Sequence, residues 1–249
     1  MLKKFFKGTG AAVALTTGVM LSGCNVDIDL GDGNGVPLAE LDQAGASPSE
    51  VVLAGPDAVI VQTGSEFEIE VSGDTRARDA LRFELEDDSL AISRAKDADK
   101  NIGRATVRVT VPSLQAIVLA GSGAMEATSM DSDAEVTIAG SGTAKVEKLA
   151  VNSLELTIAG SGDFETSGTT TDLEMTIAGS GSANMTGLQV DRAEVTIAGS
   201  GDAAFASDGT VEASIVGSGD VTVTGSANCT ASAMGSGKLR CGGRTAETE

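Results

Sequence analysis

Apolar and polar residues alternate with a period of two from Val51 onward. The stretches are Val59-Ile60-Val61, Phe67-Glu68-Ile69-Glu70-Val71, Leu81-Arg82-Phe83-Glu84-Leu85, Leu90-Ala91-Ile92 and Ala105 to Val111. This alternation predicts half-buried β-strands. Gly55-Pro56, Thr63-Gly64-Ser65 and Ser72-Gly73-Asp74 supply turns between them. Residues 51–113 read as an N-terminal strand part, and residues 114–249 as a repeat.

The tripeptide Gly-Ser-Gly recurs with its first glycine at 121, 140, 160, 179, 199, 217 and 235, in steps of 18 to 20 residues. A fixed period of this size over seven copies signals a solenoid or array. Two residues before the glycine lie Leu119, Ile138, Ile158, Ile177, Ile197 and Ile215. Four before it lie Ile117, Val136, Leu156, Met175, Val195 and Ala213, and Thr137, Thr157, Thr176, Thr196 and Ser214 fall between the two columns. After the corner the apolar columns resume with Met125, Ala144, Phe164, Ala183, Ala203, Val221 and Leu239. Successive side chains therefore point to opposite faces, as a pleated strand requires.

Two all-β architectures satisfy the pattern. In a parallel β-helix (a solenoid with 18–20-residue coils) like residues stack about 4.8 Å apart and the Gly-Ser-Gly tripeptides are corners. In an antiparallel hairpin array each tripeptide is a tight reversal, with Ile197 facing Ala203 and Val195 facing Phe205. Stacking accounts for more, including the repeated Thr, the alanines at 139, 159, 178 and 198, and a third apolar patch at Leu149 and Val151 or Leu188 and Val190. The β-helix is the preferred reading, with the hairpin array as the alternative. The corner residues are Gly121, Gly123, Gly140, Gly142, Gly160, Gly162, Gly179, Gly181, Gly199, Gly201, Gly217, Gly219, Gly235 and Gly237. A sharp bend with close backbone approach is what glycine tolerates without steric cost.

The chain opens differently. Lys3, Lys4 and Lys7 precede a short apolar stretch, Gly10 to Met20, that is too short for a good membrane span. Leu21-Ser22-Gly23-Cys24 follows and resembles the lipobox of bacterial lipoproteins. That resemblance implies a signal peptide over 1–23 and lipidation of Cys24, with the membrane as a partner through the anchor. Asn25, by resemblance to enterobacterial sorting, favours the outer membrane. Residues 24–50 hold Asp27, Asp29, Asp32, four Gly and two Pro, and are expected to be a flexible linker.

Composition narrows the chemistry. The chain has 249 residues, a net charge of -19 and no His, Trp or Tyr. Without His there is neither a Ser-His-Asp triad nor an imidazole metal site. The strong negative charge repels phosphate backbones, which argues against nucleic-acid binding. Seven equivalent serines without a Gly-x-Ser-x-Gly elbow read as architecture, so no catalytic residue is assigned.

Five residues before the glycine, Glu135, Glu155, Glu174, Glu194 and Glu212 form an acidic column on one outer face. It reads as a solvated, anti-aggregation face, with a weak Ca²⁺ or Mg²⁺ strip as the sharper alternative. No other cofactor is expected. Cys229 and Cys241 both fall in inward columns of the last coil, and a disulfide there would staple a terminal coil, as against two buried thiols.

The blocks Gly55-Pro56-Asp57-Ala58-Val59, Phe67 to Val71, Leu90-Ala91-Ile92-Ser93-Arg94 and Val111-Pro112-Ser113-Leu114, leading into Leu119-Ala120-Gly121-Ser122-Gly123, resemble the bacterial head GIN domain family of auto-transporter adhesin heads. The resemblance covers about 51–240. It implies a β-helical domain of the cell envelope without established enzymatic activity. The chain is accordingly expected to be a non-catalytic envelope lipoprotein, on the periplasmic or surface face, presenting its head for adhesion or scaffolding to an envelope partner. The Thr and Glu columns are the expected contact face. A polysaccharide lyase is the rival reading, with Lys145, Lys148, Arg192, Lys238 and Arg240 as available bases. A periplasmic assembly or stress factor is a third.

Overall fold

A computed structural model describes residues 35–99 and 101–245. The expected signal peptide, the lipidation residue Cys24 and the first part of the linker lie outside the described residues. The strands are β1 (Glu50–Gly55), β2 (Ala58–Thr63) and β3 (Glu68–Gly73), then a short helix α1 (Thr75–Ala80). There follow β4 (Leu81–Glu86), β5 (Ser89–Arg94), β6 (Ala105–Val111), β7 (Ala116–Gly121), β8 (Ala124–Ala127) and β9 (Asp133–Gly140). The long strands are β10 (Thr143–Gly160), β11 (Asp163–Gly179), β12 (Ser182–Gly199) and β13 (Asp202–Gly217). The chain ends with β14 (Asp220–Thr224), β15 (Asn228–Gly235), β16 (Lys238–Cys241) and β17 (Arg244–Thr245).

The repeat is a parallel solenoid of about seven turns. Gly140 pairs with Gly160 across β9 and β10, Gly160 with Gly179, Gly179 with Gly199 and Gly199 with Gly217, all in parallel register. Hairpins at these glycines would pair neighbouring segments antiparallel, so the hairpin array is ruled out. Each turn has three sides. Face A runs up to the corner (153–160 in β10), face B leaves it (143–146), and a short face C (149–151) closes the turn after a register shift. In β13 face C shrinks to Ala206 and Ser207 before pairing resumes at Thr210, which is how the 18-residue period is accommodated.

The corners follow from stacking. The first glycines, from Gly121 to Gly235, hold φ between +124° and +135°, a region that side chains rarely enter. The second glycines face inward over the turn below: a Cβ on Gly162 would lie 2.5 Å from Ile138 Cγ2 and 2.9 Å from the Gly142 carbonyl oxygen. The serine between them is exposed, and the Ser161 N–H donates to the Gly140 carbonyl at 2.8 Å.

The core is one continuous cluster running the length of the ladder. The column Leu119, Ile138, Ile158, Ile177, Ile197 and Ile215 is wholly buried. In one inward column Phe164 stacks between Ala144 and Ala183, and in the next Phe205 stacks on Met185 and under Val223. Each buried aliphatic or aromatic side chain contributes about 1.5–3 kcal/mol, which far outweighs the repulsion among surface charges.

The division expected at 113/114 falls inside this ladder. Gly55 pairs with Gly121, so β1 and β2 form a turn directly beneath β7 and β8, with Gly55-Pro56-Asp57 standing where later turns have Gly-Ser-Gly. Beneath that turn lie β5 and β6, also parallel to it. β4 and β3 then pair antiparallel with β5 and β6 and close the end. Spatial order therefore departs from chain order here. α1, unforeseen in the sequence, crosses between β3 and β4, and Asp74 caps it by accepting the Arg76 and Ala77 N–H groups at 2.9 and 3.2 Å. The linker expected over 24–50 is not free in its described part. Val36 bridges to Phe83, Leu38 and Leu41 pack on the core, and Pro48 is buried.

Candidate functional site

Face A carries the longest outward rows. The strand register places Glu135, Glu155, Glu174, Glu194 and Glu212 one above another, each opposite the next. Thr137, Thr157, Thr176, Thr196 and Ser214 form a second row beside them, buried at its first member Thr137, and the alanines before the corners a third that ends in Val216 and Met234. The carboxyl of Glu155 is raised above the ordinary glutamate value, first by partial burial and then by Glu135 and Glu174 on either side. Charge of one sign is thus held in a line. Among the described residues no group of three or more His, Cys, Asp or Glu is disposed to hold a metal ion, so the acidic row forms a ladder of single carboxylates without a chelating cage.

Face B carries a different surface, which the sequence reading missed. Asp163, Ser182 and Asp202 stack in one row. Asp202 Oδ1 accepts the Asp220 N–H at 2.9 Å, and Asp220 Oδ1 accepts the Lys238 N–H at 3.1 Å. Arg240 Nη1 lies 3.0 Å from Asp220 Oδ2. Ser182, Asn184, Asp202, Asp220, Thr222 and Arg240 line an open groove of about 380 Å³ with small alanines at its floor. The signal was legible as a spacing: one 18-residue coil plus two residues sets Arg240 diagonal to Asp220.

Of the basic residues available to a lyase, Lys238 and Arg240 share the outward side of β16 and the others lie elsewhere. Arg192 pairs with Asp172 at the start of face A, Arg240 with Asp220 on face B, and Lys145 lies on face B several turns away. No helix among the described residues is long and apolar enough to cross a membrane.

Among the described residues one ion pair is deeply buried, and it lies beneath the repeat. Asp57 is 1% exposed and takes the place of a second corner glycine. Its carboxylate accepts two hydrogen bonds from Arg94 and one from the Ala105 N–H at 2.8 Å. The arrangement ties the corner of one turn to both strands of the turn below. Its role is structural.

A family model described as "Putative auto-transporter adhesin, head GIN domain" matches residues 47–227. The chain belongs to this head GIN domain family. No curated protein matches the sequence. Several solved structures share the fold. The crystal structure of a "putative adhesin" from Bacteroides fragilis NCTC 9343 is 17% identical with a TM-score of 0.73, covering 78% of this chain and 92% of that one. A "putative adhesin" from Parabacteroides merdae ATCC 43184 is 18% identical with a TM-score of 0.64, covering 78% and 92%. A "putative lipid binding protein" from Parabacteroides distasonis ATCC 8503 is 23% identical with a TM-score of 0.62, covering 79% and 93%.

Within this head GIN domain, the motifs that carry the family resemblance meet in space. Gly55-Pro56-Asp57 and Ser93-Arg94 come together through the Asp57–Arg94 pair. The matched segment ends before the last turn. That turn holds Cys229 and Cys241, which the structure joins in a disulfide with a Cα separation of 6.4 Å between faces A and B.

Proposed function

We propose that the chain is a non-catalytic, lipid-anchored protein of the bacterial cell envelope whose solenoid head serves adhesion or scaffolding through face A. The observation that carries this reading is the in-register repetition of the Glu and Thr rows along one sheet face. Repeat solenoids use such extended surfaces to engage large or repetitive partners. Family membership and the adhesin names of two solved neighbours support the same reading. The name of the third neighbour suggests lipid as a ligand. Here, however, the interior is filled by the stacked Ile, Leu, Val and Phe columns, which leaves an acyl chain no room inside.

The anchor and the display are tested separately. Radiolabelled fatty acid is expected to be incorporated into the chain and lost in Cys24→Ser. Protease shaving of intact cells is expected to remove the head. Protection from shaving with labelling intact would favour a periplasmic assembly or stress role, and absence of labelling would overturn the anchor.

A further inference from the structure

A solenoid has two ends, and an uncovered end is a sheet edge open to association. The N-terminal end is closed by the antiparallel strands β3 and β4, which carry Glu68, Glu70, Arg82 and Glu86. At the other end, on face B, β16 bears Lys238 and Arg240, and β17 pairs with its second half at Arg240 and Cys241. Face A is different. Among the described residues β15 pairs only with β13, and its eight residues, Asn228 to Gly235, include no charge and no proline. From this asymmetry we infer that β15 is a self-association surface through which two copies of this chain pair end to end.

The acidic row supports a second copy as the occupant. Every face A strand from β9 to β13 has a glutamate at this register, but β15 has Thr230 opposite Glu212. With Thr230 in place, the nearest row glutamates of two abutting copies are the two Glu212 residues. They stand three strand spacings apart, roughly 14 Å, which is beyond the ~8 Å screening length at physiological salt. A glutamate at 230 would bring like charges onto the diagonal of the strand pair, roughly 8 Å apart. The row stops where a chain of net charge -19 needs it to stop in order to meet itself. Beside it, Val216 and Met234 are 52% and 72% exposed at the open end.

The strand is also self-complementary. The Glu135 N–H donates to the preceding turn at Gln115, and Thr230 occupies the same place in the coil. The N–H and C=O groups of Cys229, Ala231 and Ala233 therefore point away from β13. An antiparallel two-fold pairing centred on Ala231 matches Ala231 with itself and Cys229 with Ala233 of the second copy. That register uses every one of those donors, keeps the inward columns inward, and sets Thr230 beside Ser232. A closed two-fold contact of this kind stops at a dimer. It also gives each solenoid a cap on face A that none of its own described residues supplies.

Sedimentation velocity of the full chain carrying Cys24→Ser, so that no acyl chain drives association, tests this. The expected result is a reversible dimer that Thr230→Glu weakens several-fold at low salt, with unchanged circular dichroism, while Thr230→Ala leaves it intact. The dimer is expected to weaken as salt is lowered, because the remaining repulsion is electrostatic. A monomer at all concentrations, or a dimer indifferent to Thr230→Glu, would overturn the proposal. Circular dichroism unchanged in Thr230→Glu separates lost pairing from lost fold, and the glutamates tolerated at this register in the turns below make that outcome the expected one.

Discussion

Arg94 lays its guanidinium along the carboxylate of Asp57, with Nε 2.7 Å from Oδ2 and Nη2 2.7 Å from Oδ1. The bidentate pair is desolvated on both sides, at 12% and 1% exposure. Arg94 also donates to the Gly103 carbonyl at 2.8 Å, so the guanidinium holds the 95–104 connection as well.

Removing one member of such a pair leaves an uncompensated buried charge. Arg94→Met is expected to destabilise the chain by about 3–5 kcal/mol, read as a fall in the denaturant midpoint. The double variant Arg94→Met with Asp57→Asn is expected to lose less than the sum of the two singles, since the neutral amide strands no charge. Strict additivity in the double-mutant cycle would show that the two residues act independently.

The stacked corners make a sharper claim about single positions. At Gly179 a Cβ meets the Gly160 backbone and the φ of +131° strains any side chain. Gly179→Ala is expected to lower stability by about 2–3 kcal/mol. Ser180→Ala, one residue away with its side chain exposed, is expected to fall within about 0.5 kcal/mol of the parent. Thermal midpoints of the two proteins check both at once. Equal effects would mean that the corner is read by its polarity and not by its backbone.

This contrast explains what the sequence made legible. The parallel ladder could be read because Gly, Ile and Thr recur at fixed offsets, and stacking alone accounts for all three columns. The turn at β1 and β2 could not, because Pro56 and Asp57 stand in for serine and the second glycine and hide the corner. Nor could the position of β5 below β1 and of β6 below β2, since local alternation carries no information on which strand a segment will pair with. α1 covers only six residues, too few for a helical period to emerge. The Asp220–Arg240 contact corresponds to a 20-residue offset, which brings the two charges together only once the coils are stacked.

The disulfide closes a loop of 12 residues at the open end. The constraint on the unfolded chain is worth about 3 kcal/mol for a loop of this size. Neighbouring turns are held by their own columns, so the loss is expected to be local. Reduction is expected to speed amide exchange in β15 and β16 while leaving β10 to β12 unchanged, as followed by hydrogen-exchange mass spectrometry. Protection lost evenly along the ladder would mean that the solenoid unfolds as one unit from that end.

The acidic row predicts a pH dependence whose sign is fixed by Glu155. Its folded value is raised from 4.5, so between 4.5 and the raised value the folded chain holds more proton than the unfolded one. Stability from this group is therefore present at lower pH and is lost as pH rises through that window. At pH 7 all of the repulsion with Glu135 and Glu174 is expressed, less whatever solvent and salt screen at this exposed position. Glu155→Gln removes it and is expected to stabilise the chain at pH 7 by about 0.5 kcal/mol in low salt. The gain should shrink in high salt. It should vanish below pH 4.5, where the parent glutamate is itself neutral. Thermal melts of the two proteins at pH 4 and pH 7, each at low and high salt, provide the comparison. A Glu155→Gln protein less stable than the parent at pH 7 would mean that the glutamates are held by an attraction, such as a bound cation, that outweighs their mutual repulsion.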